Sequence, residues 1–220
     1  MTGRAPEDPA LSARRFFDGI APRYDRLFAP DAAATAHDLG ALLVGAPRGG
    51  LALDLGCGTG RAWPHLLAAG LRTIAIDTSL PMLHEAGRRV SAADVIRVRT
   101  DVYAAWPIAD RSIDVVLALH AVLAHPPGDP WLSWRAVGAE IARVARAGAL
   151  IAIDLPDPDW ARRTLHPLDH DRYLHREGTI DVVVVVPDTA RVLAALGLAL
   201  TCVESPTGVR AVGRIGAPGR

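Results

Sequence analysis

The sequence predicts a doubly wound α/β fold on a mostly parallel sheet that ends in an antiparallel hairpin. Three observations carry that prediction. Short runs that are apolar almost throughout alternate with segments of helical spacing, the pattern of a parallel sheet covered on both faces. A glycine-rich turn, Gly56-Cys57-Gly58-Thr59-Gly60, joins the first such run to the first helical segment. Near the end of the chain, two strand-like runs flank the turn-forming residues Ser205-Pro206-Thr207-Gly208.

The elements follow in order. Leu51–Leu55 is a strand, apolar except at Asp54. Arg61–Ala69 has helical spacing and stops at Gly70. Thr73–Ile76 is the second strand, and Ser79–Arg89 is a helix with Ser79 as N-cap and Pro81 in its first turn. Val95–Val98 and Ile113–Leu119 are the third and fourth strands. Trp131–Arg146 is an amphipathic helix, and Ala149–Leu155 is the fifth strand. Arg191–Leu196 is a helix ended by Gly197, before the two hairpin arms Leu198–Glu204 and Val209–Ile215. The hairpin brings the predicted sheet to seven strands.

Composition narrows the function. Basic and acidic residues balance at 24 each, so no overall field steers the chain to nucleic acid. Every basic residue is Arg, which excludes Schiff-base lysine chemistry. Cys57 and Cys202 are too few for a zinc-ribbon site and show no disulfide framework. No apolar run is long enough to span a membrane, and Met1–Pro9 lacks the apolar core of a signal peptide. A cytoplasmic location is expected.

In doubly wound sheets, ligands sit beyond the carboxyl ends of the strands. Asp54–Gly60, Asp77, Asp101 and Leu119-His120 occupy such ends. The glycines let the backbone approach a ligand closely. A pyrophosphate fingerprint requires a small residue where this chain has Arg61, so the turn suits a ligand without phosphates. Asp77, at the end of the second strand, is placed to accept hydrogen bonds from ribose hydroxyls.

The run Leu53–Gly60 resembles the first motif of class I SAM-dependent methyltransferases. The resemblance continues through Ile76–Ser79, Asp101-Val102 and Ser112–Val116 to Leu119-His120, covering roughly Phe16 to Leu155. It implies a Rossmann-like fold and S-adenosyl-L-methionine as cofactor, with S-adenosyl-L-homocysteine as product. It also implies roles. Gly56, Cys57, Gly58, Thr59 and Gly60 would approach the methionine part, and Asp54 would help hold its ammonium. Asp77 would bind the ribose, flanked by Thr78 and Met82. Asp101 and the Val102 amide would read the adenine, and the Leu119 carbonyl would meet the amino group. Upstream, Phe17–Asp25 resembles a segment of the quinone-biosynthesis methyltransferases that folds over the cofactor, with Tyr24 touching it. Residues 1–46 are thus expected to form a helical lid segment and 47–220 the SAM-binding domain, with an acceptor lid at 156–187.

Methyl transfer needs alignment, exclusion of water and, for some acceptors, a base. The candidates for catalysis are His120, His125 and Tyr173. Tyr173 lies in a group with His166, Asp169, His170, Asp171 and His175, whose irregular spacing matches no metal motif, so no metal is expected. The valine-rich stretch Thr179–Val186 fits either a strand of the sheet or one arm of a lid hairpin, with its other arm near Leu165–Leu174. Exposed, it would invite pairing with another subunit, so monomer and homodimer are both open. The expected partner is a small-molecule acceptor methylated at O, N or C. A SAM-binding enzyme that does not methylate is the alternative, and a NAD-dependent oxidoreductase is disfavoured by Arg61.

Overall fold

The computed structural model describes residues 8–29, 38–90, 93, 95–177, 180–205 and 208–216. The apolar runs of the middle of the chain are strands β1 (Leu51–Leu55), β2 (Arg72–Asp77), β3 (Val95–Arg99), β4 (Ile113–Ala118) and β5 (Ala145–Leu155). β9 (Thr201–Ser205) and β10 (Gly208–Arg214) are the closing hairpin; Pro206 and Thr207 of its expected turn lie outside the described residues. These strands form one seven-stranded sheet, ordered β3-β2-β1-β4-β5-β10-β9. β1 to β5 pair in parallel, and β10 runs antiparallel between β5 and β9. The expected fold class is therefore observed. The order reverses between β1 and β4, and a crevice opens there at the carboxyl ends.

Helices cover both faces, which is why the central strands are apolar throughout. On one side lie α3 (described at 38–42), α4 (Trp63–Ala68) and α5 (Leu80–Arg89), burying Leu39, Trp63, Leu66 and Leu83. On the other lie α6 (Pro130–Val144) and α8 (Thr189–Leu196), burying Trp134, Val137, Ile141 and Leu196. Local signals set the helix ends. Ser79 Oγ accepts from the Met82 amide at 3.3 Å, and Asp129 caps α6 through the Trp131 amide at 2.8 Å. Gly197 ends α8 with φ +65°. α6 stops at Val144, short of the expected Arg146, because Ala145 already pairs with Ile113 in the sheet.

The N-terminal helix α1 (Pro9–Ile20) is followed by a 3₁₀ turn, Ala21–Arg23, and the single turn α2 (Tyr24–Leu27). α1 packs on a second, three-stranded sheet of β6 (His166–Pro167), β7 (Arg172–Glu177) and β8 (Ile180–Val185), which follows the short helix α7 (Pro158–Thr164). The valine run is thus a hairpin arm outside the main sheet. Its partner is β7, in register from Arg172↔Val185 to Glu177↔Ile180, rather than the whole of 165–174. Thr179 lies outside the described residues, as do Met1–Glu7. Val182 to Val186 are buried in the chain itself, so the run presents no exposed strand face. The free edge of β8 is covered at Val183. Its amide donates to Ser12 Oγ at 2.9 Å, and its carbonyl lies 2.8 Å from His125 Nδ1.

Candidate functional site

A cavity of about 340 Å³ occupies the crevice between β1 and β4. That volume is within the range of small-molecule sites, about 300–1,000 Å³. Its floor is the glycine turn. Gly56, Gly58 and Gly60 all have φ between +52° and +74°, a region that strains any residue with a Cβ. Each has its own reason to be glycine. A Cβ on Gly56 would stand 1.9 Å from Val122 Cγ2, whereas a Cβ on Gly58 would meet nothing within 4 Å. Gly58 therefore borders open ligand space. Gly60 is not in the cavity wall; a Cβ there would strike the Trp63 ring at 2.7 Å, so it permits packing of α4.

Three carboxylates stand at the ends of successive strands around this floor. Asp77 Oδ2 accepts from the Gly58 amide and Oδ1 from the Ser79 amide, each at 2.8 Å. Burial raises the Asp77 pKa against these bonds. Asp54 is 3% exposed and accepts from Trp63 Nε1 at 3.1 Å. Its burial pushes the carboxyl up to about 7, with a smaller push from Asp77. Asp101 Oδ1 accepts from the Tyr103 amide at 2.9 Å. Thr78, Met82, Val102 and Leu119 complete this half of the wall, with Cys57 and Thr59 beside the turn. The Cys57 thiol is buried, and burial raises its pKa well above the ordinary value.

The opposite half comes from α1, the turn after β4, and Tyr103. Ala10, Ala13, Arg14 and Phe17 share one face of α1 and line the cavity. His120 and Ala121 have φ of +58° and +55°, which is uncommon for residues with side chains. The turn is held by a buried charge network. The His120 amide donates to Asp154 Oδ2 at 3.0 Å, and Asp154 Oδ1 accepts from Arg210 Nε at 2.6 Å. Arg210 also pairs with Asp38, tying α3 to the same group. His125 lines the cavity, and Phe17 meets it edge-on with centroids 5.7 Å apart. Its bond to the Val183 carbonyl places the proton on Nδ1, leaving the lone pair on Nε2. Burial lowers its pKa to about 4.

The N-terminal segment is clasped to the glycine turn. Asp25 accepts from Thr59 Oγ1 at 2.7 Å and Arg61 Nε at 2.9 Å, and pairs with Arg89 of α5. Arg61 also donates to the Phe28 carbonyl at 2.9 Å, and its guanidinium lies 4.7 Å from the Tyr24 ring centroid. Partial burial of Asp25 acts to raise its pKa, but the bonds from Thr59 and Arg61 and the nearby positive charges together lower it. Tyr24 is thereby set in the cavity wall. Asp25 was missed in the sequence, and Arg61 served there only as evidence against a dinucleotide. The available signal was a Tyr-Asp pair upstream of a glycine turn that ends in Arg, and nothing local links the two.

The candidates are otherwise brought together, with two corrections besides Gly60. Tyr173 does not reach the cavity; its ring is buried with Val182, Val184 and Phe16 in the core beneath α1. Among the described residues, nothing from 156–187 lines the cavity, so that region supports α1 and His125 from behind instead of facing a ligand. Arg14 and Tyr103 line the wall without having been singled out. Among the described residues, no group of three His, Cys, Asp or Glu is placed to hold a metal ion, and no helix is long and apolar enough to cross a membrane.

Fold and site together define a Rossmann-like domain of the methyltransferase kind. Residues 53–153 match the family described as methyltransferase domain. An uncharacterized methyltransferase of Mycobacterium leprae is 31% identical over 144 residues, 65% of this chain and 51% of that protein. An uncharacterized 37.1 kDa protein in transposon TN4556 of Streptomyces fradiae is 32% identical over 218 residues, covering 94% of this chain and 61% of that one. The chain thus spans about half to three-fifths of the length of these relatives. Among solved structures, a DhpI–SAH complex superposes with a TM-score of 0.71 at 22% identity, over 97% of this chain and all of that one. A Burkholderia thailandensis 1,6-didemethyltoxoflavin-N1-methyltransferase with bound S-adenosylhomocysteine superposes at 0.65 and 20% identity, over 99% of this chain and 93% of that one. The match at residues 53–153, the relatives and the shared fold agree on a methyltransferase domain in the middle of the chain.

Proposed function

We propose that the protein transfers the methyl group of SAM to a small organic acceptor in this cavity. The observation that carries the reading is the open volume beside Gly58, bordered by Asp54, Asp77 and Asp101 at the ends of β1, β2 and just past β3. The donor set fits the cofactor. After serving the Gly58 and Ser79 amides, with the Thr78 amide also acting on it, the Asp77 carboxylate keeps acceptor capacity for the ribose hydroxyls. Asp101 has an oxygen left for the adenine amino group, and Asp54 is the counter-charge for the ammonium.

SAM supplies an electrophilic methyl group and its own leaving group. The protein's part is to bind, align and exclude water. α1 and α2 act as the lid: Phe17 and Tyr24 wall the cavity, and the Asp25 clasp holds them there. His120 and His125 are the side chains facing the acceptor side, and burial, which lowers the His125 pKa to about 4, makes its imidazole a weak base.

Calorimetry with SAM, S-adenosylhomocysteine and NAD tests the cofactor assignment. Binding of the two adenosyl sulfur compounds, and not NAD, is expected. A folded protein that ignores both overturns the reading. Formation of S-adenosylhomocysteine with an added acceptor then tests transfer.

A further inference from the structure

Within that SAM-dependent reading, we infer that the acceptor is a small organic acid, bound as its anion by Arg14 and methylated on an ionised oxygen. The inference begins from the charge on the two halves of the cavity. Its carboxylates, Asp54, Asp77 and Asp101, all lie on the strand-end side with the glycine turn. Among the described residues, the lining of the half built by α1 and the turn after β4 has no carboxylate, its polar groups being Arg14, His120, His125 and Tyr103, while Asp18 of α1 stands behind the wall with its charge acting on Asp77. An amine or other cationic acceptor would find no counter-charge among the described residues that line that half. Two arginines line the cavity. Arg61 is 9% exposed and committed to Asp25. Arg14 is exposed, shares the cavity-lining face of α1 with Phe17, and pairs with no acid among the described residues. A guanidinium that pairs with no acid among the described residues, in a half-site walled by Phe17, Tyr103 and two imidazoles, is a receptor for a carboxylate or a similar oxyanion.

The proton inventory agrees. The chain has no Lys, and the buried His125 imidazole is a weak base. The half-site is thus poorly equipped to deprotonate an alcohol or amide, whereas an ionised oxygen needs no base. In the transfer, a lone pair of that oxygen forms the bond to the methyl carbon as the carbon–sulfur bond breaks. Its electron pair returns to sulfur, the sulfonium becomes a neutral thioether, and no proton moves. The product is a methyl ester or ether that has lost the negative charge Arg14 holds, which favours its release.

The same guanidinium chemistry would also suit the carboxylate of SAM, so the experiment separates the two sources. Benzoate, cinnamate and salicylate are titrated into protein saturated with S-adenosylhomocysteine, alongside benzamide, cinnamide and benzylamine, and the same acids are assayed for methylated product. Carboxylates are expected to bind at least about tenfold more tightly than the amides, and benzylamine not at all. Arg14→Ala should abolish that preference while leaving S-adenosylhomocysteine affinity within about twofold, and Arg14→Lys should keep part of it. Turnover should follow ionisation of the acid, with no further rise across neutral pH. The inference is overturned if amides or benzylamine bind as well as the acids. It is equally overturned if no acid binds, if Arg14→Ala keeps the preference, or if Arg14→Ala weakens S-adenosylhomocysteine binding itself. Failure of wild-type protein to bind S-adenosylhomocysteine would instead strike the cofactor assignment.

Discussion

At the scale of single residues, Asp77 is the most exposed to test. Asp77→Ala removes two expected ribose bonds, each worth about 1.5–3 kcal/mol to a charged partner. It also strands the Gly58 and Ser79 amides. Calorimetry should show SAM affinity falling by two orders of magnitude or more, with the circular dichroism of the fold retained. Asp54 gives a prediction in pH. Burial raises its folded pKa to about 7, well above the ordinary carboxylate value, so its neutral form is the one the fold favours. Its contribution to stability is complete below about pH 4 and is lost as pH rises through about 7. His125 acts with the opposite sign, because its folded pKa is depressed, so the useful quantity is a difference. The melting temperature of wild type minus that of Asp54→Asn, both without ligand, should fall steadily across that window; a flat difference would contradict the buried ionisation. Most of these residues were legible because glycines and strand-end acids advertise themselves by position. The left-handed backbone of His120 and Ala121 was not, because the turn is held by Asp154 and Arg210, which are remote in sequence.

At the scale of elements, the strands of the main sheet and most helices could be read, since apolar runs and caps are local signals. The second sheet could not. A run of five consecutive buried valines, Val182 to Val186, looks alike in any buried strand; its pairing with β7 and its edge contacts with Ser12 and His125 distinguish it from a member of the main sheet. Close packing of α6 on α8 gives a stability prediction. A Cβ on Gly138 would stand 1.8 Å from the Leu196 carbonyl oxygen, so the helices must separate to admit one. Gly138→Ala should therefore destabilise the fold by about 1–3 kcal/mol in denaturant titration, despite the better helix propensity of alanine. α2 gives a contrasting expectation. Asp25 is partly exposed, so its ion pairs add only about 1 kcal/mol. Asp25→Ala should leave the denaturation midpoint nearly unchanged. It should speed proteolytic cleavage between α2 and the sheet and weaken SAM binding several-fold. Equal protease resistance would show that the segment is held by its apolar contacts alone.

At the scale of the whole molecule, three apolar clusters divide the labour. Two sandwich the main sheet, and the third joins α1 to the second sheet. The cavity lies where the third meets the others: Met82 belongs to the α1 cluster yet sits on α5, against the main sheet. The sequence foretold the sheet, because apolar strand runs and the glycine turn are properties of short segments. It did not foretell that 156–187 would buttress α1, because that arrangement depends on side chains meeting across the fold. The Asp25 clasp has one further kinetic consequence. Arg61 and Arg89 tie the strap to the turn through Asp25, so on the proposed reading release of the spent nucleoside is expected to require those ions to part. Residence time on the protein should then be set by a screened electrostatic latch. Added salt should shorten it, and a burst on the first turnover should fade as ionic strength rises.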